Sequence, residues 1–477
     1  MISPLPSNFS SKVSYLRNYS KAPIRILPQQ TGTIKNGQMF KVILPVGVVL
    51  DLSTFAVHFD FVAKAQNNTD VPVDCTVGMP KYGGNGLVDT FECYINGLNV
   101  QTIQSYNRIY SILKDFKSNH TSLLRKLSNN SDPSVYQTIS TTGVITKNNT
   151  RIAPLNGTAI NFGGRYVMDY FIGFLDCKPN IIDTNLTGPI ELSFRMANPE
   201  VLWKFGAAVT GVCYEISNIV CYCDAIYFKD DAYYSQLKVA MQQEDGFKIV
   251  YDNFGVYAGS ALTNSKTTNV KCTENCKSLD YILWTYFDNT STGLQALQLG
   301  DGNGGAADAA AILAGTPARQ VYNFDNLVRI RDSSLLNNSV YFRRNGVADS
   351  LTVEFQINSQ PVTIPMNIQE QWEETLKCFE LHLDSDNTQI NPAITSMPVF
   401  QKDFYVCGLS TSHIGNKYPD LMPLISGRDT MSTSVNIVVN SVDKTADNSH
   451  GSCQPFVITK FTSVLHVTGE RNVLPSR

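Results

Sequence analysis

Charge is scarce in this chain. Asp, Glu, Lys and Arg together make up 17% of its 477 residues, against about 25% in an ordinary soluble protein. A surface so thinly charged is expected to be largely covered, most simply by copies of the same chain. Acidic residues are missing from positions 1–50. Asp51 is the first, while Lys12, Arg17, Lys21, Arg25, Lys35 and Lys41 lie at or before position 50. Such an end is either an ordinary solvated arm or a weakly basic one that touches an anionic surface such as genome or lipid. The net charge of -3 excludes attraction of the whole chain to nucleic acid.

Long apolar runs are lacking too. No stretch reaches the ~18 residues of a membrane span, and the run from Val42 to Leu50 is broken by Pro45 and Gly47. The start, MISPLPSNFS, has no basic segment followed by an apolar one, so a secretory leader is not expected. A reducing compartment follows from that. Cysteine is present but without a framework: 11 is an odd count with irregular spacing. Most thiols are expected to fill cores, and sequons such as Asn8-Phe9-Ser10 to go unused.

What is abundant is alternation. In 53–63, Phe55, Val57, Phe59 and Phe61 fall on one face, with His58 and Asp60 on the other. The stretches 190–196, 351–357, 435–439 and 461–467 repeat the pattern. A period of two means strands with one buried face, as in antiparallel sandwiches; parallel strands would read as unbroken apolar runs. Turn signals separate them: Lys35-Asn36-Gly37, Ile95-Asn96-Gly97, Asn156-Gly157 and Asn345-Gly346. Helical pattern is rare. It is expected at 105–117, with Ser105 as cap, at 231–241 and in the Ala run 306–314. The expectation is an all-β chain. A basic arm spans 1–24, the first sandwich 25–230, a linking helix 231–243 and the second sandwich 244–477. Each half has the length of an eight-stranded antiparallel jelly roll with a few short helices in its loops.

Catalytic and ligand motifs fail one by one. Gly300-Asp301-Gly302-Asn303-Gly304-Gly305 fits GxGxxG, and Asp325 stands where a ribose-binding acid would. Dinucleotide binding needs that turn inside a βαβ unit, so that a helix N-terminus meets pyrophosphate. A weak strand precedes it here and no parallel partner follows. The same loop fails as a calcium site, because Gly305 and Ile312 replace needed oxygen ligands. Cys221 and Cys223 share one face of a strand and read as core. Cys272 and Cys276, in the polar stretch KCTENCK, are the better metal or redox pair. The six histidines are scattered, and HExxH, GxSxG and Walker A are all missing. Neither enzymatic activity nor a cofactor is expected.

Four segments, in order, resemble the double jelly-roll major capsid proteins of virophages, polinton-like viruses and adintoviruses. In 83–116, Ile95-Asn96-Gly97 takes the place of the family's Gly-containing turn and Tyr106-Asn107-Arg108-Ile109-Tyr110 that of its Tyr-rich helix. The segment 169–202 is similar to a capsomer-stabilising loop leading into an alternating strand. The segment 214–237 is similar to the strand closing the first jelly roll and the helix beyond. At the end, 461–473 looks like the final strand, with Gly469-Glu470-Arg471 as its turn. The chain is short for the group, so modest outward loops are expected, and no C-terminal extension.

The resemblance implies two consecutive jelly rolls and a homotrimer of pseudo-hexagonal outline in an icosahedral shell, placing the chain in the virion. Its partners would be neighbouring capsomers, penton and minor capsid proteins, and genome or an inner membrane through the N-terminal arm. Interface candidates are the helix 105–117 with Tyr106, Arg108 and Tyr110, the loop 177–189 with Asp183 and Asn185, and the arm 1–25 with Lys12 and Arg17. The rival reading is a carbohydrate-binding or adhesive β-sandwich, with Trp203, Trp284 and Trp372 as sugar platforms. A nucleotide-dependent enzyme using the 300–305 loop is the other.

Overall fold

In a computed structural model of the chain, the described residues are 19–65, 75–78, 80, 83–117, 137–139, 145–147, 166–201, 203–206, 212–228, 247–258, 267–288, 296–298, 320–322, 352–379, 406–412, 427–431, 433–440, 453–468 and 473–476. The loop 300–305, the stretches 231–243 and 306–314, the turns at Asn156 and Asn345, and Lys12 and Arg17 lie outside them.

The first half contributes eight principal strands: β1 (Tyr19–Ile26), β2 (Met39–Ile43), β3 (Val49–Ala65), β4 (Val88–Ile95), β5 (Leu98–Ile103), β6 (Tyr166–Met168), β7 (Ile190–Met196) and β8 (Val212–Phe228). They form two antiparallel sheets, ordered β1-β8-β3-β6 and β2-β7-β4-β5. The second half supplies β9 (Phe247–Ala258), β10 (Thr267–Cys272), β11 (Leu279–Asp288), β12 (Thr352–Ile357), β13 (Gln360–Pro361), β14 (Cys407–Ser410), β15 (Val435–Asn440) and β16 (Cys453–Val467). Their order is β9-β16-β11-β14 and β10-β15-β12-β13. The second pair of sheets is the first with every strand number raised by eight. Each is an eight-stranded jelly roll, whose long connections exchange strands between two facing sheets.

The alternation seen in the sequence explains the packing. Phe55, Val57, Phe59 and Phe61 on β3 are all buried. Phe194 on β7 lies at the centre of the first core: its ring is 5.1 Å from Phe40, 5.3 Å from Phe91, 6.5 Å from Phe55 and 5.6 Å from Phe171. Phe40 and Phe91 come from its own sheet and Phe55 from the facing one, so one ring binds both layers. In the second half, Val353, Phe355 and Ile357 on β12 and Val435 and Ile437 on β15 are buried on the same principle. The long pair β3–β8 shifts register at two irregularities, between Ser217 and Val220 and between Tyr222 and Asp224.

Asn96 and Gly97 have φ of 51° and 79°, the left-handed pair that a tight hairpin turn between β4 and β5 requires. Asn358 and Ser359, at 54° and 62°, make the matching turn between β12 and β13. Helix α1 (Tyr106–Lys117) falls where periodicity put it. Ser105 precedes it at φ 50°, and its carbonyl accepts from the Arg108 and Ile109 N–H groups. Helix α2 (Ile368–Cys378) was not expected; a complete capping box between Asn367 and Glu370 starts it. β1 begins at Tyr19, within the stretch expected to be an arm.

Candidate functional site

The two jelly rolls meet along a seam built from the edge of one and the open flank of the other. β5, at the edge of its sheet, carries Gln101, whose side chain is completely buried. Its amide donates to the Asp252 carbonyl at 2.8 Å and to Asn253 Oδ1 at 3.3 Å, both on β9. Its oxygen accepts the Phe174 N–H at 2.7 Å. From the other side, the Tyr251 hydroxyl donates to the Val100 carbonyl at 3.0 Å. Lys178 and Val250 exchange two backbone hydrogen bonds of 2.7 and 2.9 Å, so the loop before β7 adds a bridge to the outer edge of β9. Gly173 has φ 84°, and a Cβ there would collide with the Gln101 side-chain oxygen. Glycine lets the loop close over the seam.

Apolar contacts flank these bonds. Phe174 meets Tyr251 edge-on at 5.5 Å. Phe116 at the end of α1 stacks on Phe379, just past α2, at 4.6 Å and 2°. The Arg108 guanidinium lies 5.5 Å over Phe456 of β16. Buried polar groups paired across a dry surface fix one relative placement of the halves, because any shift would strand a donor or acceptor.

The structure places the expected contact residues as follows. Tyr106 and Tyr110 are fully buried inside the chain. Their rings stack at 5.7 Å. The Tyr106 hydroxyl accepts the Ile172 N–H, and that of Tyr110 accepts from the Asn85 amide. Burial pushes both phenols well above the ordinary tyrosine range. They anchor α1 to segments 83–87 and 169–172. Arg108, on the same helix, is half-buried at the seam. Asp183 is buried and accepts the Asn185 N–H at 2.9 Å, capping a single helical turn, Thr184–Thr187. Burial raises its carboxyl above the usual range, and Oδ2 has no hydrogen-bond partner among the described residues. Asn185 is half-buried. Lys12 and Arg17 lie outside the described residues.

Cys221 and Cys223 sit in the first core, and burial pushes both thiols up to about 12. Cys272 and Cys276 are also buried, at about 12 and about 11 for the same reason. Cys276 Sγ lies 3.2 Å from Thr430 Oγ1. Between them, the Glu274 carboxylate accepts from Tyr257 at 2.7 Å and Thr459 at 3.2 Å. Among the described residues no group of three or more His, Cys, Asp or Glu is placed to hold a metal ion. Trp284 is fully buried and Trp372 packs partly buried against the core; neither is an open platform.

The seam residues Gln101, Tyr251 and Asn253 were missed by sequence reasoning. A polar residue on an alternating strand reads as solvated, and only its neighbour across the seam makes it buried. For α2 a signal was present in Asn367-x-x-Glu370.

No protein-family model matches the sequence, and no curated protein matches it. Solved structures do. PBCV-1 VP54, a crystal structure fitted into a reconstruction of the virophage Sputnik, superposes with TM-score 0.57 at 12% identity, over 98% of this chain and 99% of that one. A chain of the Sputnik virophage structure gives 0.53 at 10%, over 96% and 88%. The Faustovirus major capsid protein gives 0.52 at 10%, over 94% and 91%. At such identities the likeness is one of fold. The chain has the double jelly-roll fold of these capsid proteins, as its four sequence segments implied.

Proposed function

We propose that the chain is a viral major capsid protein with no catalytic activity of its own, located in the virion. Three copies, each bringing two similar lobes, form a capsomer of pseudo-hexagonal outline, and capsomers tile an icosahedral shell around the genome. The observation that carries this reading is the doubled jelly roll: one strand order used twice and locked by a buried seam. Fold likeness to a major capsid protein over nearly the whole chain supports it.

The physics agrees. Six similar lobes from three chains close a ring through one repeated heterologous contact. Obligate interfaces between them would cover the surface that a 17% charge content leaves poorly solvated. Further partners are penton and minor capsid proteins, with the arm of Lys12 and Arg17 turned toward genome or an inner membrane. Arg108 and Asn185 keep exposed atoms for contacts between chains. Tyr106, Tyr110 and Asp183 contribute by holding α1 and the 177–189 loop in shape.

Expression of the full chain followed by gradient sedimentation and negative-stain imaging tests the reading. Closed shells or hexagonal capsomers are expected. Uniform small monomeric particles under every salt and crowding condition would refute it.

A further inference from the structure

The repeat has one asymmetry, and it marks a docking surface. β5 and β13 hold the same place in the two jelly rolls, each following its hairpin turn at the edge of the same sheet. In the first half this edge is covered by the second: Val100 is 2% and Gln101 0% exposed, under Tyr251 and Asn253 of β9. In the second half the residues following β13 are open. Val362 is 41% and Ile364 72% exposed, and Ile364 is the most exposed large apolar side chain among the described residues. They sit in a bulge, since the register moves between the Gln356–Pro361 pair and the Val353–Met366 bridge.

The complementary flank shows the converse. β9 in the second half buries Tyr251, 2% exposed, against Val100 and Phe174 of the first half. β1 occupies the same place in the first half, as an edge strand beside β8. Its inward residue Ile24 packs against the core but is only half-buried, and Leu27, just beyond its end, is 57% exposed. Pro23 lies mid-strand, which an edge tolerates because no donor is needed on its free side. One chain therefore carries one used seam and the two unused halves of another.

We propose that Val362 and Ile364 of one chain dock on β1 and Leu27 of a second copy, reproducing between chains the seam that joins the halves within one. This deepens the capsid reading and rests on it. The contact is heterologous, each chain offering one surface and accepting on the other, so it closes a ring instead of pairing two copies. Val362 and Ile364 on one surface and Ile24 and Leu27 on the other supply the apolar anchors.

A photo-reactive benzoylphenylalanine at Ile364, in a mixture of isotopically light and heavy chains, tests the surface directly. A light–heavy cross-link to a peptide within 19–27 is expected. Separately, Ile364→Asp should weaken association at least ~100-fold while leaving the thermal unfolding of the dissociated chain unchanged. Wild-type trimers whose cross-links fall elsewhere, or an Ile364→Asp chain that still forms trimers fully, would overturn the surface and leave the capsid reading standing. A wild-type chain that stays monomeric would overturn both.

Discussion

At the scale of single residues, the seam depends on one amide. Gln101 spends its donor and acceptor capacity on Asp252, Asn253 and Phe174 in a fully buried position. Gln101→Leu keeps the volume but leaves the Phe174 N–H and the Asp252 carbonyl poorly satisfied. A loss of about 2–3 kcal/mol in urea unfolding is expected, against less than about 0.5 kcal/mol for Thr102→Ala on the half-exposed side. A Gln101→Leu chain within about 0.5 kcal/mol of wild type would show that the seam does not rest on this residue. Asp183 gives a test by pH. Its folded carboxyl titrates above its unfolded range because burial disfavours the charge. Its ionisation therefore opposes folding, and the favourable contribution of the protonated form is lost as pH rises through the folded value. Asp183→Asn keeps an oxygen for the Asn185 N–H and removes the charge. The variant is expected to melt higher than wild type at pH 7, with the gap closing as pH falls below about 4, the unperturbed Asp range. A constant gap across that range would contradict the assignment. Little of this was legible in the sequence. Gln101 lies in a stretch with no sequence reading, since only its neighbours across the seam bury it, and Tyr106 and Tyr110 were placed at contacts because aromatic residues in an amphipathic helix do not reveal which face a loop will cover.

At the scale of elements, alternation located the strands well. The stretches at 53–63, 190–196, 435–439 and 461–467 all lie in strands of the two rolls, as does 351–357 from Thr352 on; Leu351 lies outside the described residues. Their edges moved because pairing, and not periodicity, sets strand length: β3 extends from Val49 to Ala65 to match β8. The Asn96-Gly97 turn was read correctly. The Asn358-Ser359 turn passed unnoticed because Ser is an uncommon residue at positive φ. Helix α2 was overlooked although Ile368, Trp372 and Leu376 recur every four residues and its capping box was visible. That box has a measurable worth: the Asn367 side chain accepts from the Glu370 N–H at 3.0 Å, and Glu370 reaches back to the Asn367 N–H at 2.8 Å. Asn367→Ala should cost about 1 kcal/mol, and Asn367→Ser much less, in the same unfolding assay. Equal effects would mean that the cap contributes nothing specific.

At the scale of the whole molecule, the doubling was inferred from length and from the central position of 231–243. No residue-level repeat announced it. Strand order conserves the repeat where residues do not, because a jelly roll needs only a period of two and turns at the right intervals. Under the proposed docking, a chain closes one seam internally and offers the two halves of another to its copies. That arrangement predicts a closed, small assembly before any shell forms. The most direct measurement is the native mass of the purified chain. The account predicts a species at three times the 52.8 kDa chain mass, persisting on dilution as an obligate ring does. A mass that remains that of a single chain at every concentration would contradict it.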